Sequence, residues 1–363
     1  MKLTLLSPTF PPDHCGVGDH SARLMNALEA LGHQVIVQKS WNDLEKASVS
    51  TDAVLVQYTP YLWSQSRVRL NPRMSFQFAR ARRRLGVPVI LLAHEVHYPV
   101  GWSVRGLLLG WGQKFQFLAL ASKAHQIYFT YESARKAICE ARPLLQQKAS
   151  VLPVGSNIPV ISAPVIIEGG LDHEKILLIH FGGNHPTHCL PWTVTALAAA
   201  QASLPEKDID LIWVGVDEAE KNRILSEMQQ TKISSSIRAL GYLPANEVSQ
   251  WLTRSTLVLA PFLDGISTRR GSVMAAFEHS RPVVTNLGWA SDPKINWDSF
   301  SFASNASSNQ KPEDAFASAV CSALNSPDER QKIAAAGLDN YERQFSWRKI
   351  ADLLVSGLGS SHG

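Results

Sequence analysis

Short apolar runs alternate with stretches of helical spacing along the first half of the chain. Residues 2–7 form an apolar run of strand length, and residues 17–31 place apolar side chains three and four positions apart, as one face of a helix requires. Gly32 is typical of a helix end. Further apolar runs of strand length occupy residues 35–37, 53–57, 87–93, 126–130 and 150–153. Because strands and helices alternate, this half predicts a parallel, doubly wound sheet.

The second half repeats the same alternation. Its predicted strands occupy residues 175–181, 209–214, 237–240, 257–260 and 282–285. Its predicted helices occupy residues 191–202, 218–230, 247–253 and 272–279. The predicted fold class is therefore α/β, with two Rossmann-like doubly wound domains that we expect to face each other across a cleft.

The change of domain falls in a stretch without clear periodicity, residues 154–170, which contains Pro, Ser and Gly. A chain of 363 residues has room for two domains at roughly 150 residues each. We place the first domain at residues 1–160 and the second at residues 161–345. Residues 346–363 are expected to form a helix that packs back toward the first domain.

Composition fits a globular protein and narrows its compartment. The chain is 45% hydrophobic and 18% charged, which disfavours the disordered, collagen-like and coiled-coil classes. No apolar run reaches the length of about 18 residues that a transmembrane helix needs. The four cysteines lack the CxxC spacing of a zinc module and do not suggest a disulfide framework. We therefore expect a reducing, cytoplasmic compartment.

Positive charge is concentrated in the first predicted domain. The net charge is +4, but residues 1–160 hold 18 basic and 9 acidic side chains, whereas the remainder holds 17 and 22. The basic cluster is a run of arginines: Arg67, Arg69, Arg73, Arg80, Arg82, Arg83 and Arg84. No nucleic-acid-binding module accompanies this run, so we expect no nucleic acid partner. A solvated helix face and a surface that attracts anionic lipids both explain it.

An aromatic stretch follows the arginine run. Residues 98–102, 107–111 and 115–118 bring Trp and Phe beside Leu, with Arg105 and Lys114 nearby. This combination fits a protein that attaches peripherally to the inner membrane surface and takes an anionic or lipid-linked acceptor. A core helix explains the same pattern, and that alternative stays open.

Ligands of open α/β sheets bind at the loops that follow the strands. The first such loop, residues 11–19, contains Gly16 and Gly18, which let a ligand approach the backbone, and it opens a helix whose N-terminus favours an anion. Asp19 in this loop is a candidate catalytic residue, although it also fits a simple helix N-terminal charge. We therefore include the loop among the candidate ligand-binding segments.

A second loop follows the strand predicted at residues 87–93. His94, Glu95 and His97 stand there without the HExxH spacing of a zinc protease. Two histidines three residues apart without a further apparent ligand do not make a metal site. We take His94 and Glu95 as candidate catalytic residues because of their place at a strand end, where a packed structural histidine is the alternative.

The second domain supplies two further loops. Residues 181–188 contain Gly182 and Gly183, which again permit close approach to a ligand, and end in His188. The loop at residues 261–272 combines arginines and hydroxyl groups at the start of a predicted helix, where guanidinium groups and the helix dipole favour phosphate. Its candidate diphosphate-binding residues are Asp264, Ser267, Thr268, Arg269, Arg270, Gly271 and Ser272.

Six segments in this order resemble glycosyltransferase family 4, whose members have the GT-B fold. The resembling segments are the first glycine loop, the His94–Glu95 pair, residues 153–159, the second glycine loop, residues 264–284 and the Phe-Ser-Trp sequence within residues 341–347. The resemblance implies transfer of a sugar from a nucleotide diphosphate sugar to an acceptor hydroxyl, usually with retention at the anomeric carbon. It also implies that the second domain holds the donor and the first the acceptor.

The chain departs from the family pattern at several positions. The family usually carries two Glu separated by seven residues, and those positions are Ser267 and Ala275 here. The usual Arg and Lys of the second glycine loop fall on Gly183 and His188, and Ser280 replaces a Gly. Arg269 and Arg270 would replace the missing positive charge, and Glu278, one turn after position 275, would replace the ribose contact.

The resemblance implies no cofactor and no required metal, since a donor phosphate oxygen takes the acceptor proton. The missing carboxylates leave other functions open. One alternative is a non-catalytic protein that binds a sugar nucleotide or a partner on the same fold, and another is a GT-B epimerase, which would need no acceptor. A phosphorylase would need a lysine for pyridoxal phosphate, and no motif identifies one. The donor base, the sugar and the acceptor are not specified by the sequence.

Overall fold

The computed structural model describes residues 1–13, 15–46, 50–64, 70–71, 73–97, 104, 106–161, 175–183, 185 and 187–359. Arg67, Arg69, Arg105 and residues 98–102, named above, lie outside the described residues. The chain divides into two compact units. The first comprises Met1–Gly155 and Trp347–Gly363, and the second comprises Ser156–Ser346.

The first unit alternates strands and helices, as the apolar pattern predicts. Its elements are β1 (Lys2–Leu6), α1 (Gly16–Ala30), β2 (Gln34–Gln38), α2 (Trp41–Lys46), β3 (Ala53–Tyr58), α3 (Met74–Leu85), β4 (Val89–Ala93), α4 (Gly112–Lys123), β5 (Gln126–Phe129), α5 (Glu132–Ala141) and β6 (Ala149–Val151). A π-helical turn, Gly106–Trp111, leads into α4, and a 3₁₀ turn, Pro143–Lys148, precedes β6. In the described part of this unit, the strands form a sheet of order β2-β1-β3-β4-β5-β6 with parallel pairings.

The second unit repeats this plan. Its elements are β7 (Ile176–Phe181), α6 (Leu190–Ser203), β8 (Ile209–Val214), α7 (Glu218–Glu227), β9 (Ile237–Ala239), α8 (Ala245–Arg254), β10 (Leu257–Ala260), α9 (Gly271–Glu278), β11 (Val283–Asn286), β12 (Phe302–Ser304), α10 (Pro312–Asn325) and α11 (Pro327–Asn340). Short 3₁₀ turns, Thr231–Ser236 and Trp297–Ser299, precede β9 and β12, and a π-helical turn, Tyr341–Phe345, follows α11. The described strands are parallel in the order β12-β11-β10-β7-β8-β9. The last helix, α12 (Trp347–Gly359), belongs to the first unit.

Both faces of the first sheet are covered, which explains why its strands are continuously apolar. On β3, Val54 and Val56 are fully buried on one face in a cluster that includes Phe78 of α3 and Phe117 of α4. Leu55 points to the other face, where it shares a cluster with residues of α1 and α12. The C-terminal helix therefore completes the core of the first unit.

The predicted strands agree with the observed strands to within two residues at each end. The helix predicted at residues 218–230 is shorter, because α7 ends at Glu227. Gln229 has a positive φ of 56°, and Gln230 N–H donates to the carbonyl of Leu225, so the chain turns out of the helix there. The short strand β12 escapes prediction.

Candidate functional site

The first turn of α1 contains Gly16, Gly18 and Asp19. A Cβ atom at Gly18 would lie 3.3 Å from the backbone nitrogen of Phe10, so the glycine lets the preceding loop pack against the helix. The negative charge of Asp19 is favourably placed in the first turn, where the helix dipole is positive. This geometry supports a structural role for Gly18 in addition to the predicted ligand role.

His94 follows β4, and its ring meets the ring of His20 edge to face. The centroids are 4.5 Å apart with an interplanar angle of 85°. The order of the strands explains this contact. His94 follows β4, His20 lies on α1, which follows β1, and β3 lies between these two strands. Gln57 of β3 hydrogen-bonds to both rings. The structure thus brings the two predicted loops of the first unit together: Asp19 adjoins His20, and Glu95 adjoins His94.

Both imidazole rings are neutral at physiological pH. Burial lowers the pKa of His94 to about 4. Burial also lowers the pKa of His20 well below its usual value, and the neighbouring His94 lowers it further. His94 therefore supplies no positive charge to a phosphate group at neutral pH. Its neutral ring offers one hydrogen-bond donor and one hydrogen-bond acceptor.

Among the described residues, no group of three or more His, Cys, Asp or Glu side chains could hold a metal ion. One Asp-x-Asp sequence, Asp208 to Asp210, lies at the amino end of β8, the edge opposite the ligand-binding loops of a parallel sheet. Lys175 binds Asp208 at 2.6 Å and Asp210 at 3.7 Å. Asp208 and Asp210 therefore form ion pairs with Lys175 at this edge of the sheet.

In the second unit, the glycine loop after β7 depends on Gly182. Its φ is +142°, and a Cβ atom there would lie 2.6 Å from Cε1 of His188. Any other residue would be strained and would displace the imidazole. Gly183 is exposed beside it, and the loop stays close to β8 because Gly182 N–H donates to the carbonyl of Val214 at 3.0 Å.

His188 stands where the family usually carries a lysine, and here it is a packed neutral ring. Its ring centroid is 5.4 Å from that of His180 and 5.2 Å from that of Phe262. Burial, together with the positive or polar neighbours His180, Arg270 and His185, lowers the pKa of His188 to about 2. The side chain therefore supplies no positive charge to a ligand.

The arginines after β10 are bound by one buried carboxylate. Asp264 accepts from Arg269 at 2.5 Å through Oδ2, and Arg270 binds its other oxygen. The side chain of Arg270 is only 7% exposed, and its guanidinium carbon lies 4.0 Å from the ring centroid of Phe262. Asp264, which the sequence placed among direct phosphate ligands, thus holds the two arginines. One carboxylate balances half of their charge, so the cluster keeps a net positive charge.

Arg270 also joins the two loops of the second unit. Its Nη1 donates to Oγ1 of Thr187 at 2.9 Å, and His188 forms an antiparallel bridge with Phe262. Because β7 and β10 are neighbouring parallel strands, their carboxyl ends bring the loops to one edge of the sheet. The glycine loop and the arginine loop are therefore one structural feature.

Helix α9 starts at this feature. Arg270 is its N-cap residue and gives no side-chain cap hydrogen bond. The N–H groups of Gly271 and Ser272 lie in the first turn, where a helix itself supplies no acceptor. Thr268 is buried before the helix, and Ser267 is fully buried with a hydroxyl that has no hydrogen-bond partner among the described residues. Together these groups make the start of α9 partly positive, which is an environment that suits an anion.

Ala275 and Glu278 both lie apart from this site. Ala275, at a position where the family carries Glu, is fully buried in the middle of α9. Glu278 is the last residue of that eight-residue helix, about 10 Å along the axis from its start. The proposed ribose contact through Glu278 therefore lies at the opposite end of α9 from the arginines.

The arginine loop is fixed by contacts with the loop after β11. Gly265 has φ +85°, and a Cβ atom there would lie 2.3 Å from the nitrogen of Gly288. The side-chain amide of Asn286 accepts from Phe262 N–H and donates to its carbonyl, each at 2.8 Å. Asn286 and Gly288 were not expected from the sequence, because their partners lie more than twenty residues away.

The predicted basic and aromatic surface is half core and half exposed. Phe117 of α4 is fully buried, whereas Phe115 is 63% exposed and Trp111 is 41% exposed. The two exposed rings stack at 5.9 Å, and Lys114 lies 5.4 Å from the Trp111 centroid. The core-helix interpretation is therefore right for one face of α4 and wrong for the other.

Helix α3, which packs against α4, continues this surface. Phe76 is 61% exposed on α3. Arg73, Arg80 and Arg83 lie three or four residues away from it or from one another, on the same face. Arg80 pairs with Glu45 at 3.3 Å. In the described part of the chain, no helix is long and apolar enough to cross a membrane.

The amino-acid sequence matches no protein-family model, and a search of curated proteins finds no relative. Solved structures do match. HepE from Anabaena, determined in complex with UDP and glucose, is 14% identical over 99% of this chain and 100% of its own, with a TM-score of 0.65. Sucrose-phosphate synthase from Thermosynechococcus elongatus is 14% identical over 98% of each chain, with a TM-score of 0.71.

A third similar structure is WaaG, a glycosyltransferase involved in lipopolysaccharide biosynthesis. It is 14% identical over 98% of this chain and 99% of its own, with a TM-score of 0.65. At this level of identity the similarity shows the fold alone. The two parallel α/β units, matched over nearly the whole chain, have the GT-B fold that these glycosyltransferases share.

Proposed function

We propose that the protein is a glycosyltransferase that moves a sugar from a nucleotide diphosphate sugar to an acceptor hydroxyl. The observation that carries this proposal is the bond from Arg270 to Thr187, at 2.9 Å, which joins the two donor loops at the start of α9. A guanidinium group and a helix N-terminus at one strand edge suit a diphosphate. Complexes of HepE with UDP, on the same fold, support the choice of ligand.

The leaving diphosphate explains what this site would do. Breaking the bond to the sugar builds negative charge on the phosphate oxygens, and fixed donors aimed at that charge lower the barrier. Arg270 and the N–H groups of Gly271 and Ser272 are the donors here. Removing one such donor typically costs roughly 2–4 kcal/mol in transition-state stabilisation.

The first unit would hold the acceptor, with His94, Glu95 and Asp19 around it. His94 is neutral, and Gly16, which is exposed at the start of α1, leaves the backbone there accessible. A donor phosphate oxygen would take the acceptor proton, and the transfer would proceed with retention, as the resemblance to the hexosyltransferases of family 4 implies. The guanidinium groups supply the positive charge that a metal ion supplies elsewhere, so we propose no cofactor and no metal.

We further propose that the exposed rings of α3, α4 and the π-helical turn before α4 attach the protein peripherally to the cytoplasmic face of a membrane. Phe76, Trp111 and Phe115 present apolar area beside Lys114 and the arginines of α3. Aromatic rings in the headgroup region and basic side chains near anionic lipids each favour such attachment. The acceptor would then be an anionic or lipid-linked molecule.

A second candidate is a non-catalytic protein that binds a sugar nucleotide. Asp264 favours it, because its carboxylate is engaged with both arginines and lowers the charge available to the ligand. Ser267 and Ala275, where the family carries Glu, favour it as well. A GT-B epimerase differs from both candidates because it would act on the sugar nucleotide without an acceptor.

Calorimetric titration of the full chain with UDP and the other nucleoside diphosphates tests the donor site first. We expect saturable binding of one nucleotide per chain. If none of the diphosphates binds at millimolar concentration, both the transferase and the binding-protein proposals fail. Incubation with nucleotide sugars then separates the candidates, because a transferase releases free diphosphate only when an acceptor is present, and an epimerase changes the sugar without release.

A further inference from the structure

Gln57 lies between two imidazole rings that belong to different loops. It occupies the carboxyl end of β3, where its side chain is fully buried. Its Oε1 lies 2.6 Å from Nε2 of His94, and its Nε2 lies 3.3 Å from Nδ1 of His20. One amide thus links the histidine after β4 to the histidine of α1.

An amide has one donor side and one acceptor side, so its orientation fixes the proton on each ring. The oxygen of Gln57 accepts a hydrogen bond, which requires the proton of His94 to be on Nε2. The amide nitrogen donates to Nδ1 of His20, which requires that atom to carry a lone pair. The remaining nitrogen of the His94 ring, Nδ1, is then an acceptor.

Three contacts hold the amide and the rings in place. The backbone carbonyl of Gln57 accepts from Nε1 of Trp63 at 2.7 Å. The ring of Trp347, at the start of α12, packs edge-on against His20 with centroids 4.9 Å apart. Gly155 makes room for this indole, because a Cβ atom at Gly155 would lie 2.7 Å from it. The C-terminal helix thereby limits movement of His20.

The surroundings of His20 and His94 disfavour a positive charge on either ring. Burial disfavours the imidazolium form of His20 and His94, and the neighbouring His94 further disfavours a charge on His20. The pair therefore stays neutral, and the hydrogen bonds of Gln57 favour one tautomer of each ring.

We propose that Gln57 is a positioning residue that keeps His94 in its Nε2–H form, so that Nδ1 of His94 accepts a hydrogen bond from a hydroxyl group of the sugar or acceptor. This inference rests on the proposed glycosyl transfer for the identity of the hydroxyl group. The tautomer itself is independent of the reaction. His94 then contributes to recognition of a neutral polyol and does not act as a cation for phosphate.

Nitrogen NMR of the full chain with ¹⁵N-labelled histidine tests the tautomer without substrate. Signals are assigned by comparison with His94→Asn and His20→Asn. We expect His94 to carry its proton on Nε2 between pH 6 and 8. A signal for His94 protonated on Nδ1, or an even mixture of the two forms, would overturn the proposal whether or not the protein proves to be a transferase.

The variant Gln57→Glu supplies a second readout. A carboxylate can only accept, so His20 should move its proton to Nδ1, and the pKa of both rings should rise by at least one unit. Gln126→Glu, on β5, is the matched control because Gln126 bonds to Ser150 and touches neither histidine. It should leave both signals unchanged. Unchanged histidine signals in folded Gln57→Glu would also overturn the proposal.

Activity is measured last and judged separately. Under the proposed function, Gln57→Glu should raise KM for the hydroxyl-bearing substrate at least tenfold at low pH, where His94 is charged, and less at high pH. A tautomer as expected together with no transfer activity in the wild type would leave the positioning of His94 standing and refute the proposed function. A wild-type KM in the variant at every pH would refute the recognition role.

Discussion

The carboxylate of Asp264 accepts a hydrogen bond from the guanidinium group of Arg269 at 2.5 Å, five residues along the same loop. The same carboxylate binds Arg270, and the side chain of Asp264 is only 3% exposed. A buried ion pair contributes less than its contact suggests, because both groups lose their hydration. Loss of one partner is nevertheless severe, since it leaves a charge buried and unpaired.

Asp264→Asn should therefore lower the free energy of unfolding by about 3–5 kcal/mol. A bound diphosphate would replace the missing charge, so UDP should raise the melting temperature of the variant more than that of the wild type. Thermal unfolding with and without UDP measures both effects. Equal shifts in the two proteins would show that the nucleotide does not reach the arginines.

Arg270→Ala should weaken binding of a nucleoside diphosphate at least tenfold, or about 1.4 kcal/mol, because it removes a phosphate donor and the bond to Thr187. Calorimetry gives the affinity, and the melting curve shows whether the variant is folded. Arg223→Ala is the control, since Arg223 is half exposed on α7 and pairs with Glu220 and Glu227. Wild-type affinity in folded Arg270→Ala would show that the diphosphate does not bind at this loop.

Stability should fall as the pH drops below about 6.5. His180 is 1% exposed, and burial lowers its pKa to about 4. The unfolded chain, with a histidine pKa near 6.5, takes up the proton first, so acid favours unfolding. Between pH 7 and pH 5 this residue should lower the free energy of unfolding by about 2 kcal/mol.

The variant His180→Asn removes this titration and keeps an amide donor near the carbonyl of Leu259, to which His180 Nδ1 bonds at 3.0 Å. Urea unfolding at pH 7 and pH 5 gives the stability difference. It should shrink by about 2 kcal/mol in the variant. The same difference in both proteins would mean that His180 is not held neutral.

Liposome co-sedimentation examines the surface of α3 and α4. The wild type should bind vesicles that contain anionic lipid at low salt and should dissociate as salt rises. Trp111→Ser combined with Phe115→Ser should reduce the bound fraction at least threefold. Leu144→Ser, which removes an 81% exposed apolar side chain elsewhere, should not change it. If the wild type does not bind these vesicles, the membrane proposal fails and a soluble acceptor becomes the expected one.

The sequence predicts the sheets well, because strands buried on both faces are continuous apolar runs. It also predicts that the glycine and arginine loops follow strands. It does not predict that Asp264 engages both arginines, since this depends on a loop shape set by Asn286 and Gly288 from the next strand. A carboxylate beside arginines in a sequence fits a ligand-binding role and an ion pair equally well.

Two other features escape prediction for similar reasons. Gln57 is a single polar residue in the apolar run of β3, and only the sheet order places it between His20 and His94. His188 occupies the position of a cationic family residue, but its charge is decided by packing against His180 and Phe262. Side-chain contacts across neighbouring strands determine both.

Mass spectrometry of the products formed from a panel of nucleotide sugars and acceptors, including lipid-linked ones, decides whether the protein transfers a sugar. We expect a product heavier than its acceptor by one sugar residue, with an equal amount of free nucleoside diphosphate. His94→Ala should lower the rate at least tenfold and remain folded. Diphosphate binding without any product across the panel would contradict glycosyl transfer and leave a sugar-nucleotide-binding protein in its place.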